Sequence, residues 1–492
     1  MKKAFSAFLA VLLLVPLLAA PTRAFAEIQP YAQTLIIDGA PAEVRALDGS
    51  YERNTFLSLT DLAAVLSGTQ KQFRFERVVS TADGEVFTVL RGQTAVMPSG
   101  AEGRPKQSPV VSMNLSRNRL QIDGGERKYY SFNAQDGDLY VSVTDLQLML
   151  DLNLKREADG SFSLNTWEGF HADPFGLEQA GFFDGVGSIY LADIDTGEVL
   201  FQRNAQAAVP CASLSKLLSY VILKEAARER ELNENGTVRI SENAQMLSRS
   251  GDGIVPLTAG TDVPFQELLE AMLIASSNES ALALAEYTCG SEAAFVERMN
   301  RRAQELGFAS VTMFNCNGLP SFTGDAIPVK RQNLMSAEDL FRLSRHILKN
   351  YPEITQITSK QLAHMPHLND YWTANSNPLV YNLEGVNGLK TGHTNRAGYC
   401  VAASMPVGRE DGLHTVVLIL MGAETAELRG QAAEILLRYA VDYYRAVTCG
   451  RSLFDAVCEV MLAVHQLVGR DRCDAVPALL SEESRNIRCF DR

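Results

Sequence analysis

Three short motifs contain residues whose side chains can cooperate in acyl transfer. The first is Ser213-Leu214-Ser215-Lys216, which is the only Ser-x-x-Lys in the chain. On a helix, side chains three positions apart lie on one face, so the amine of Lys216 can take the hydroxyl proton of Ser213. The amine must be neutral part of the time, and burial and a second nearby cation both lower the pKa of a lysine toward that state. The spacing therefore allows a serine nucleophile with a lysine base, although the motif alone is a weak signal because one is expected by chance in a chain of this composition.

The other two motifs follow later in the chain, as Ser276-Ser277-Asn278 and Lys390-Thr391-Gly392. Ser-x-Asn alone is a weak signal, because it also occurs where loop polarity or helix capping is the simpler interpretation. Lys-Thr-Gly occurs once, and a glycine inside a strand indicates that something approaches the backbone closely, as a substrate along an edge strand would. Examples of other Ser-x-Asn strings are those that begin at Ser112, Ser116, Ser163 and Ser484.

The order and separation of the three motifs carry more information than any one of them. Together they resemble the serine acyl-transfer set of penicillin-binding proteins and β-lactamases. From about residue 187 to 444 the chain is similar to the D-alanyl-D-alanine carboxypeptidases of the low-molecular-weight penicillin-binding group. The supporting stretches are 212–216, 276–281, 295–300, 317–319, 388–394 and 397–399.

This resemblance implies a role for each residue of the first two motifs. Ser213 would be the nucleophile that attacks the carbonyl between two D-alanines of a peptidoglycan stem peptide. Lys216 would be the base that activates it. Ser276 would relay a proton to the departing D-alanine, while Asn278 would hold the substrate amide and orient Lys216.

The resemblance also implies a binding site for the substrate's terminal carboxylate. Lys390 would supply the second positive charge and attract the carboxylate, and the Thr391 hydroxyl would bind it, with Gly392 completing the motif. Arg429 matches the family's position for a carboxylate-binding arginine. The backbone N–H groups of the nucleophile and of His393 would form the oxyanion hole, so His393 would act through its main chain. Neither a metal nor a cofactor is expected.

The elements that must position these residues are predicted by hydrophobic periodicity. Residues 188–201 indicate a β-hairpin, helical periodicity dominates from 214 to about 346, and 416–421 is a continuous apolar strand. A helix over 426–444 is expected to close the domain. Strands at both ends of a helical middle predict one sheet with helices packed on it. The family resemblance implies that this sheet is antiparallel and that the domain has the α/β (α+β) class of the β-lactamase and transpeptidase fold.

The predicted function is an exported serine-type carboxypeptidase that removes the terminal D-alanine of stem pentapeptides through an acyl-enzyme on Ser213. β-Lactam antibiotics would be covalent inhibitors. A β-lactamase, a transpeptidase of the same fold and a non-catalytic wall-binding or β-lactam-sensing protein remain alternatives. Against a β-lactamase, no Glu-x-x-Leu-Asn string lies between Asn278 and Lys390. A zinc carboxypeptidase is disfavoured, because the close pair His364 and His367 does not form a His-Glu-x-x-His motif.

Composition agrees with a large exported protein that binds no nucleic acid. The chain has 492 residues, with 45 Lys+Arg against 58 Asp+Glu and a net charge of −13. Nucleic-acid partners normally require a basic stripe, which the sequence lacks. Lys2 and Lys3, an apolar stretch and Ala24-Phe25-Ala26 predict a signal peptide over residues 1–26, so the protein is expected to work outside the cytoplasm, in the periplasm, the wall or at the membrane surface.

Residues 27–165, the N-terminal module, are predicted to form a smaller β-rich α+β domain with an internal repeat. Residues 56–66 match 140–150 in character, each a short strand followed by Thr-Asp as helix cap and first turn. The module resembles the copper amine oxidase N-terminal-like domain of bacterial surface proteins. It contains no His and no Cys, which excludes a copper site of imidazole or thiolate ligands there. It is interpreted as a spacer or a binding module.

The remaining segments are a linker over 166–186, the main domain over 187–446 and a tail over 447–492. The tail has an amphipathic pattern from 453 to 468, which predicts a helical extension packed on the main domain, with peripheral membrane association as the alternative. Of the eight cysteines, four lie in the last 44 residues, where an exported protein can close two disulfides. Cys211, beside the nucleophile, is interpreted as a buried small hydrophobe.

Overall fold

The computed structural model describes residues 30–48, 55–80, 84–95, 116–117, 120–229, 232–322, 330–409 and 412–445. The predicted signal peptide and the predicted tail lie outside these residues. Among the helices described, none combines the length and the apolar character that crossing a membrane requires.

The N-terminal module consists of two sheets with two short helices, α1 (Leu59–Val65) and α2 (Val143–Leu150). An eight-stranded mixed sheet has the order β11-β12-β1-β2-β3-β10-β9-β6, and a four-stranded sheet has the order β4-β5-β7-β8. The strands are β1 (Tyr31–Ile37), β2 (Ala40–Asp48), β3 (Thr55–Ser58), β4 (Phe73–Ser80), β5 (Gly84–Arg91), β6 (Ser116–Arg117), β7 (Leu120–Ile122), β8 (Gly125–Arg127), β9 (Tyr130–Asn133), β10 (Leu139–Ser142), β11 (Leu154–Arg156) and β12 (Phe162–Leu164).

The internal repeat forms two strand-helix units, β3-α1 and β10-α2, whose strands pair antiparallel. Each helix begins after a serine that is already in extended backbone, and that serine is the cap. Ser58 accepts a hydrogen bond from the N–H of Asp61, and Ser142 accepts one from Asp145. The predicted Thr-Asp cap is therefore wrong by two residues, because the serine oxygen reaches the third N–H of the helix while the threonine already lies within it.

The main domain is built on a five-stranded sheet with the order β14-β13-β25-β24-β23. All its neighbouring strands run antiparallel, as predicted, and β23 lies at one edge. The sheet strands are β13 (Ser188–Asp193), β14 (Val199–Arg203), β23 (Gly388–Thr394), β24 (Gly398–Arg409) and β25 (Gly412–Ala423), and short paired strands are β15 (Val209–Pro210), β16 (Thr237–Arg239), β17 (Asp262–Pro264), β18 (Ser321–Phe322), β19 (Lys330–Arg331), β20 (Leu334–Met335), β21 (Leu362–Met365) and β22 (Tyr371–Ala374).

Helices cover both faces of this sheet and enclose two apolar cores, one on each side. The segment predicted as a linker is itself packed, since it contains a short helix and the fully buried Phe183. The helices are α3 (Pro174–Gln179), α4 (Lys216–Arg228), α5 (Glu242–Ser248), α6 (Phe265–Glu270), α7 (Asn278–Cys289), α8 (Glu292–Glu305), α9 (Ala337–Asn350), α10 (Ile354–Thr358), α11 (Leu379–Asn382) and a last helix α12 over 426–445.

Helix α12 is shared by the two domains. Its residues Gln431, Glu434, Ile435 and Arg438 follow the spacing of one helical face and all meet the N-terminal module. Gln431 donates to the Ser142 hydroxyl at 3.0 Å, Arg438 donates to the Leu148 carbonyl at 2.9 Å, and Ile435 is a member of the module's own apolar core. Glu434 accepts from the Tyr129 hydroxyl at 3.2 Å. The module therefore packs directly on the main domain.

Ile435 tests whether this packing contributes to stability. Replacing Ile435, which is 1% exposed, by Ala should lower the free energy of unfolding. We expect a loss of about 2–5 kcal/mol, because a buried cavity remains where the side chain was. Leu413→Ala is the control, since Leu413 is 72% exposed; its effect should stay within about 0.5 kcal/mol. Chemical denaturation followed by circular dichroism measures both, and equal effects would contradict a shared core.

Candidate active site

The nucleophile candidate Ser213 lies in a one-turn 3-10 helix, Ala212–Ser215, that leads directly into α4. The first turns of α4 are buried in the main core, which fixes the position of this short turn. Ala212 has a φ of 47°, a left-handed conformation that is uncommon for a residue with a side chain. The turn also packs against the edge strand β23. Ser213 is therefore held between a core helix and the edge of the sheet.

Lys216 is fully buried and points back at the serine one turn earlier. Its Nζ lies 2.9 Å from Ser213 Oγ, 2.8 Å from Asn278 Oδ1 and 2.7 Å from the carbonyl oxygen of Asn317. An ammonium group has three donors, and these three contacts account for all of them. In the neutral form, the same geometry lets the amine accept the hydroxyl proton of Ser213.

Burial determines the charge of this site. Removal from water lowers the pKa of Lys216 to about 7, and the nearby Cys316 and Glu279 oppose that shift. Burial also holds the pKa of Lys390 well below its usual value, and repulsion by Lys216 and Arg429 adds to the effect. Desolvation is thus the largest cause for both lysines, and repulsion between cations adds to it at Lys390.

The Ser-x-Asn motif lies where a π-helical turn, Ala271–Ala275, meets the start of α7. Ser276 itself has a φ of 66°, so the chain reverses at this residue. Asn278 turns its Oδ1 to Lys216 and donates from Nδ2 to the Asp252 carbonyl at 2.9 Å. In the described part of the chain, the Ser276 hydroxyl forms no hydrogen bond with either Ser213 or Lys216.

The Lys-Thr-Gly motif lies on the edge strand β23, beside the nucleophile. Lys390 donates to the Thr391 carbonyl at 2.9 Å, and the Thr391 hydroxyl donates to the Ser376 hydroxyl at 2.7 Å. A Cβ on Gly392 would lie 3.1 Å from the backbone nitrogen of Ser213. Glycine thus fits closely where the strand backbone passes the backbone of the nucleophile, while the predicted approach of a substrate to this strand stays a prediction.

His393 and Arg429 are connected through an aromatic ring that the sequence analysis did not single out. Tyr399 stacks on the His393 imidazole with centroids 4.0 Å apart, and the Arg429 guanidinium lies 5.9 Å from the Tyr399 ring centroid. Arg429 is 6% exposed, and burial together with this arginine lowers the pKa of His393. The structure thus brings α12 to the same end of the sheet as the Lys-Thr-Gly motif.

Asn317 and Gly318 are the site residues for which the sequence analysis proposed no role. The Asn317 carbonyl accepts from both Lys216 and the Ser213 hydroxyl. Asn315 holds this turn by accepting from the N–H of Gly318 at 2.7 Å. An Asn-Gly pair signals a turn, but a backbone acceptor gives no side-chain signal in a sequence.

The thiols near the nucleophile are buried and unreactive. Cys211 is 0% exposed and donates to the Asn333 carbonyl at 3.5 Å, and burial raises its pKa well above the usual range of a thiol. Cys316 is buried behind Lys216, donates to Glu292 at 3.1 Å, and its pKa is also raised by burial. A protonated thiol is a poor nucleophile, so neither competes with Ser213.

Gly318 tests how tightly the nucleophile turn is held. A Cβ on Gly318 would lie 2.0 Å from the Ala212 carbonyl oxygen and 2.8 Å from the Ser213 nitrogen. Gly197 shares the positive φ but has no atom within 4 Å of such a Cβ, which makes Gly197→Ala the matched control. The control should cost about 1–2 kcal/mol of unfolding free energy, and Gly318→Ala should cost about 1–3 kcal/mol more. Equal losses of unfolding free energy in urea denaturation would show that the turn shifts to accommodate the added Cβ at no further cost.

Comparison with known proteins identifies the segment that carries this site. Residues 185–425 match the family described as D-alanyl-D-alanine carboxypeptidase. The chain is 30% identical over 259 residues to the D-alanyl-D-alanine carboxypeptidase DacF of Bacillus subtilis, which is 52% of this chain and 62% of that protein. It is 29% identical over 292 residues to DacD of Escherichia coli, covering 58% of this chain and 71% of that one.

Among solved structures, penicillin binding protein 6B from Escherichia coli is 29% identical, with a TM-score of 0.46, and the match covers 52% of this chain and 76% of that one. The chain spans about three fifths of the length of the Bacillus subtilis relative. The family match includes all three motifs in order and ends just before Arg429. Residues 185–425 of this chain therefore match the D-alanyl-D-alanine carboxypeptidase family, which is the family that the motifs resemble.

Proposed function

We propose that this protein is an exported serine-type D-alanyl-D-alanine carboxypeptidase that acts on peptidoglycan stem pentapeptides. The observation that carries the proposal is the contact between Lys216 Nζ and Ser213 Oγ, 2.9 Å apart, with the amine buried and its pKa lowered to about 7. A lysine in that state can serve as a general base at neutral pH. Family membership supports the substrate class.

In the proposed reaction, Ser213 Oγ attacks the carbonyl carbon between the two D-alanines while its proton moves to Lys216 Nζ. The negative charge that develops on the carbonyl oxygen is held by the backbone N–H groups of Ser213 and His393. The C–N bond then breaks, and the leaving amine receives a proton through Ser276. Water hydrolyses the ester on Ser213 and releases the shortened peptide.

Substrate recognition is proposed to rest on positive charge at the edge of the sheet. Lys390, Arg429 and the Thr391 hydroxyl lie at the same end of the main domain and would bind the terminal carboxylate of the peptide. Asn278 has one side-chain donor engaged with Asp252, and its second N–H would bind the substrate amide. Gly392 would let the peptide lie along β23 as an added strand.

β-Lactams are proposed to acylate the same serine, because their strained amide presents a carbonyl to Ser213 in the same way. Deacylation would be slow, since no Glu-x-x-Leu-Asn string lies between Asn278 and Lys390. The signal peptide over 1–26 supports action outside the cytoplasm, where stem peptides are accessible. No cofactor is part of this proposal.

Labelling by penicillin tests the nucleophile. The purified protein should release D-alanine from a pentapeptide ending in D-Ala-D-Ala, and mass spectrometry should find the penicilloyl group on the Ser213 peptide. Ser213→Ala should reduce both by at least about 1000-fold, because the attacking oxygen is gone. Ser359→Ala, at an exposed serine of the same domain, should label like wild type. Undiminished labelling of Ser213→Ala would contradict the assignment.

The pH dependence of acylation tests the base. The rate should rise with pH and reach half its maximum near pH 7, because the pKa of Lys216 is lowered to about 7 and only the neutral amine accepts the proton. Below the midpoint the rate should fall about tenfold per pH unit. Stopped-flow acylation by a chromogenic cephalosporin between about pH 5 and 9 measures this. Lys216→Ala should abolish acylation at every pH, and residual acylation with the same midpoint would remove Lys216 from this role.

A further inference from the structure

Glu279 is a buried carboxylate beside the active site to which no step of the mechanism above assigns a task. It follows Asn278 at the start of α7 and is 0% exposed. One of its oxygens accepts from the backbone N–H of Ile254 at 2.8 Å and from that of Val255. Its other oxygen, Oε2, is buried and has no hydrogen-bond partner among the described residues. Such a group is costly to bury, so its place here requires an explanation.

The two N–H groups belong to the loop that provides the acceptor for Asn278. The loop runs from residue 250 to 257 after α5, and its Asp252 carbonyl accepts the Asn278 side-chain amide at 2.9 Å. Ser248 also holds this loop, since its hydroxyl donates to the Val255 carbonyl at 2.6 Å. Ser248 and Glu279 therefore both hold the part of the loop that directly follows Asp252, and this restricts where the Asp252 carbonyl can lie.

The orientation of the Asn278 amide depends on that carbonyl. A lysine amine that donates a proton needs the oxygen of the amide, and the amide nitrogen must then find an acceptor of its own. The Asp252 carbonyl is that acceptor. If the loop moves away, the amide loses the bond that fixes its orientation, and Lys216 loses a defined partner at 2.8 Å.

We propose that Glu279 is a positioning residue of this site: its carboxylate holds the 250–257 loop so that Asn278 presents its oxygen to Lys216. Among the described residues it makes no direct ion pair with Lys216. The inference rests on the proposed function and adds to it the control of the base.

The charges around Lys216 give Glu279 a second effect on the base. The Cys316 thiol lies near Lys216 and donates to Glu292, which lies behind it. Lys390 and Arg429 face the site from β23 and α12. The Cys316 thiol stays protonated near neutral pH, because burial raises its pKa well above the usual value. Glu279 is then the group whose negative charge raises the pKa of Lys216 against the effect of burial.

Two conservative variants separate the two effects. Glu279→Gln keeps an oxygen for the Ile254 and Val255 N–H groups but removes the charge, so the midpoint of the acylation rate should move about 1 pH unit lower. Its maximal rate should stay near wild type. Glu279→Asp keeps the charge but shortens the side chain by one methylene, which moves the acceptor away from the two N–H groups. The pH midpoint of acylation should therefore stay as in wild type, while the maximal acylation rate should fall by at least about tenfold.

Glu286→Gln is the matched control, because Glu286 lies on the same helix and accepts from Asn243 at 2.9 Å, away from Lys216. It should change neither the midpoint nor the maximal rate. A purely structural Glu279 would lower the melting temperature of both variants and leave the pH profile where it was, and that result overturns the proposal. An unreduced maximal rate in Glu279→Asp overturns the positioning role.

A direct titration keeps this test separate from the proposed function. The Nζ of Lys216 can be followed by 15N NMR in protein labelled at lysine, with its signal assigned by its loss in Lys216→Arg. The signal should titrate at lower pH in Glu279→Gln than in wild type. If penicillin acylates none of the proteins at any pH, the proposed function fails. The titration of Lys216 still decides whether Glu279 sets its proton affinity, and an unshifted signal overturns that role.

Discussion

The buried amine of Lys216 is the constraint on which the rest of the site depends. A lysine loses a large solvation energy when it is removed from water, so it must either find hydrogen-bond partners or give up its proton. Here it has three partners from three distant segments, namely Ser213, Asn278 and the Asn317 carbonyl. Each partner stabilises a donor hydrogen, but none of them carries a full negative charge. The amine is therefore well placed and still close to neutrality.

The last helix, α12, connects this chemistry to the N-terminal module. Arg429 lies near its start and reaches the Tyr399 ring, while Gln431, Ile435 and Arg438 pack on the module about half a turn to two and a half turns later. Residue spacing on a single rigid helix relates these two groups of contacts. A module interpreted from sequence as a spacer or binding module is thus also a packing partner of the element that carries the arginine. Its contribution to the fold does not exclude a ligand of its own.

The sequence predicted the features that depend on local spacing and on side-chain chemistry. Ser213 and Lys216 could be paired because they are one helical turn apart, and Gly392 could be placed on an edge strand because only glycine tolerates such an approach. The Asn317 carbonyl could not be predicted, since every residue has a carbonyl and only the fold selects one. Glu279 was missed for a related reason, because its partners are backbone N–H groups 24 and 25 residues away. The cap at Ser58 was misplaced to Thr60, as both residues can cap and the backbone decides between them.

The site also shows why the overall charge of a chain says little about its substrate. The protein carries a net charge of −13, yet Lys216, Lys390 and Arg429 are all nearly or fully buried at one end of the sheet. Lys390 donates to a backbone carbonyl and, within the described residues, to no carboxylate. The positive charge of Lys390 is therefore not balanced by a carboxylate among the described residues, and an anionic ligand would stabilise the protonated form. A substrate carboxylate that binds Lys390 would stabilise the protonated form of Lys390. The pKa of Lys216 would still be lowered by burial. The lysine that binds the substrate can therefore be charged while the lysine that acts as the base is neutral.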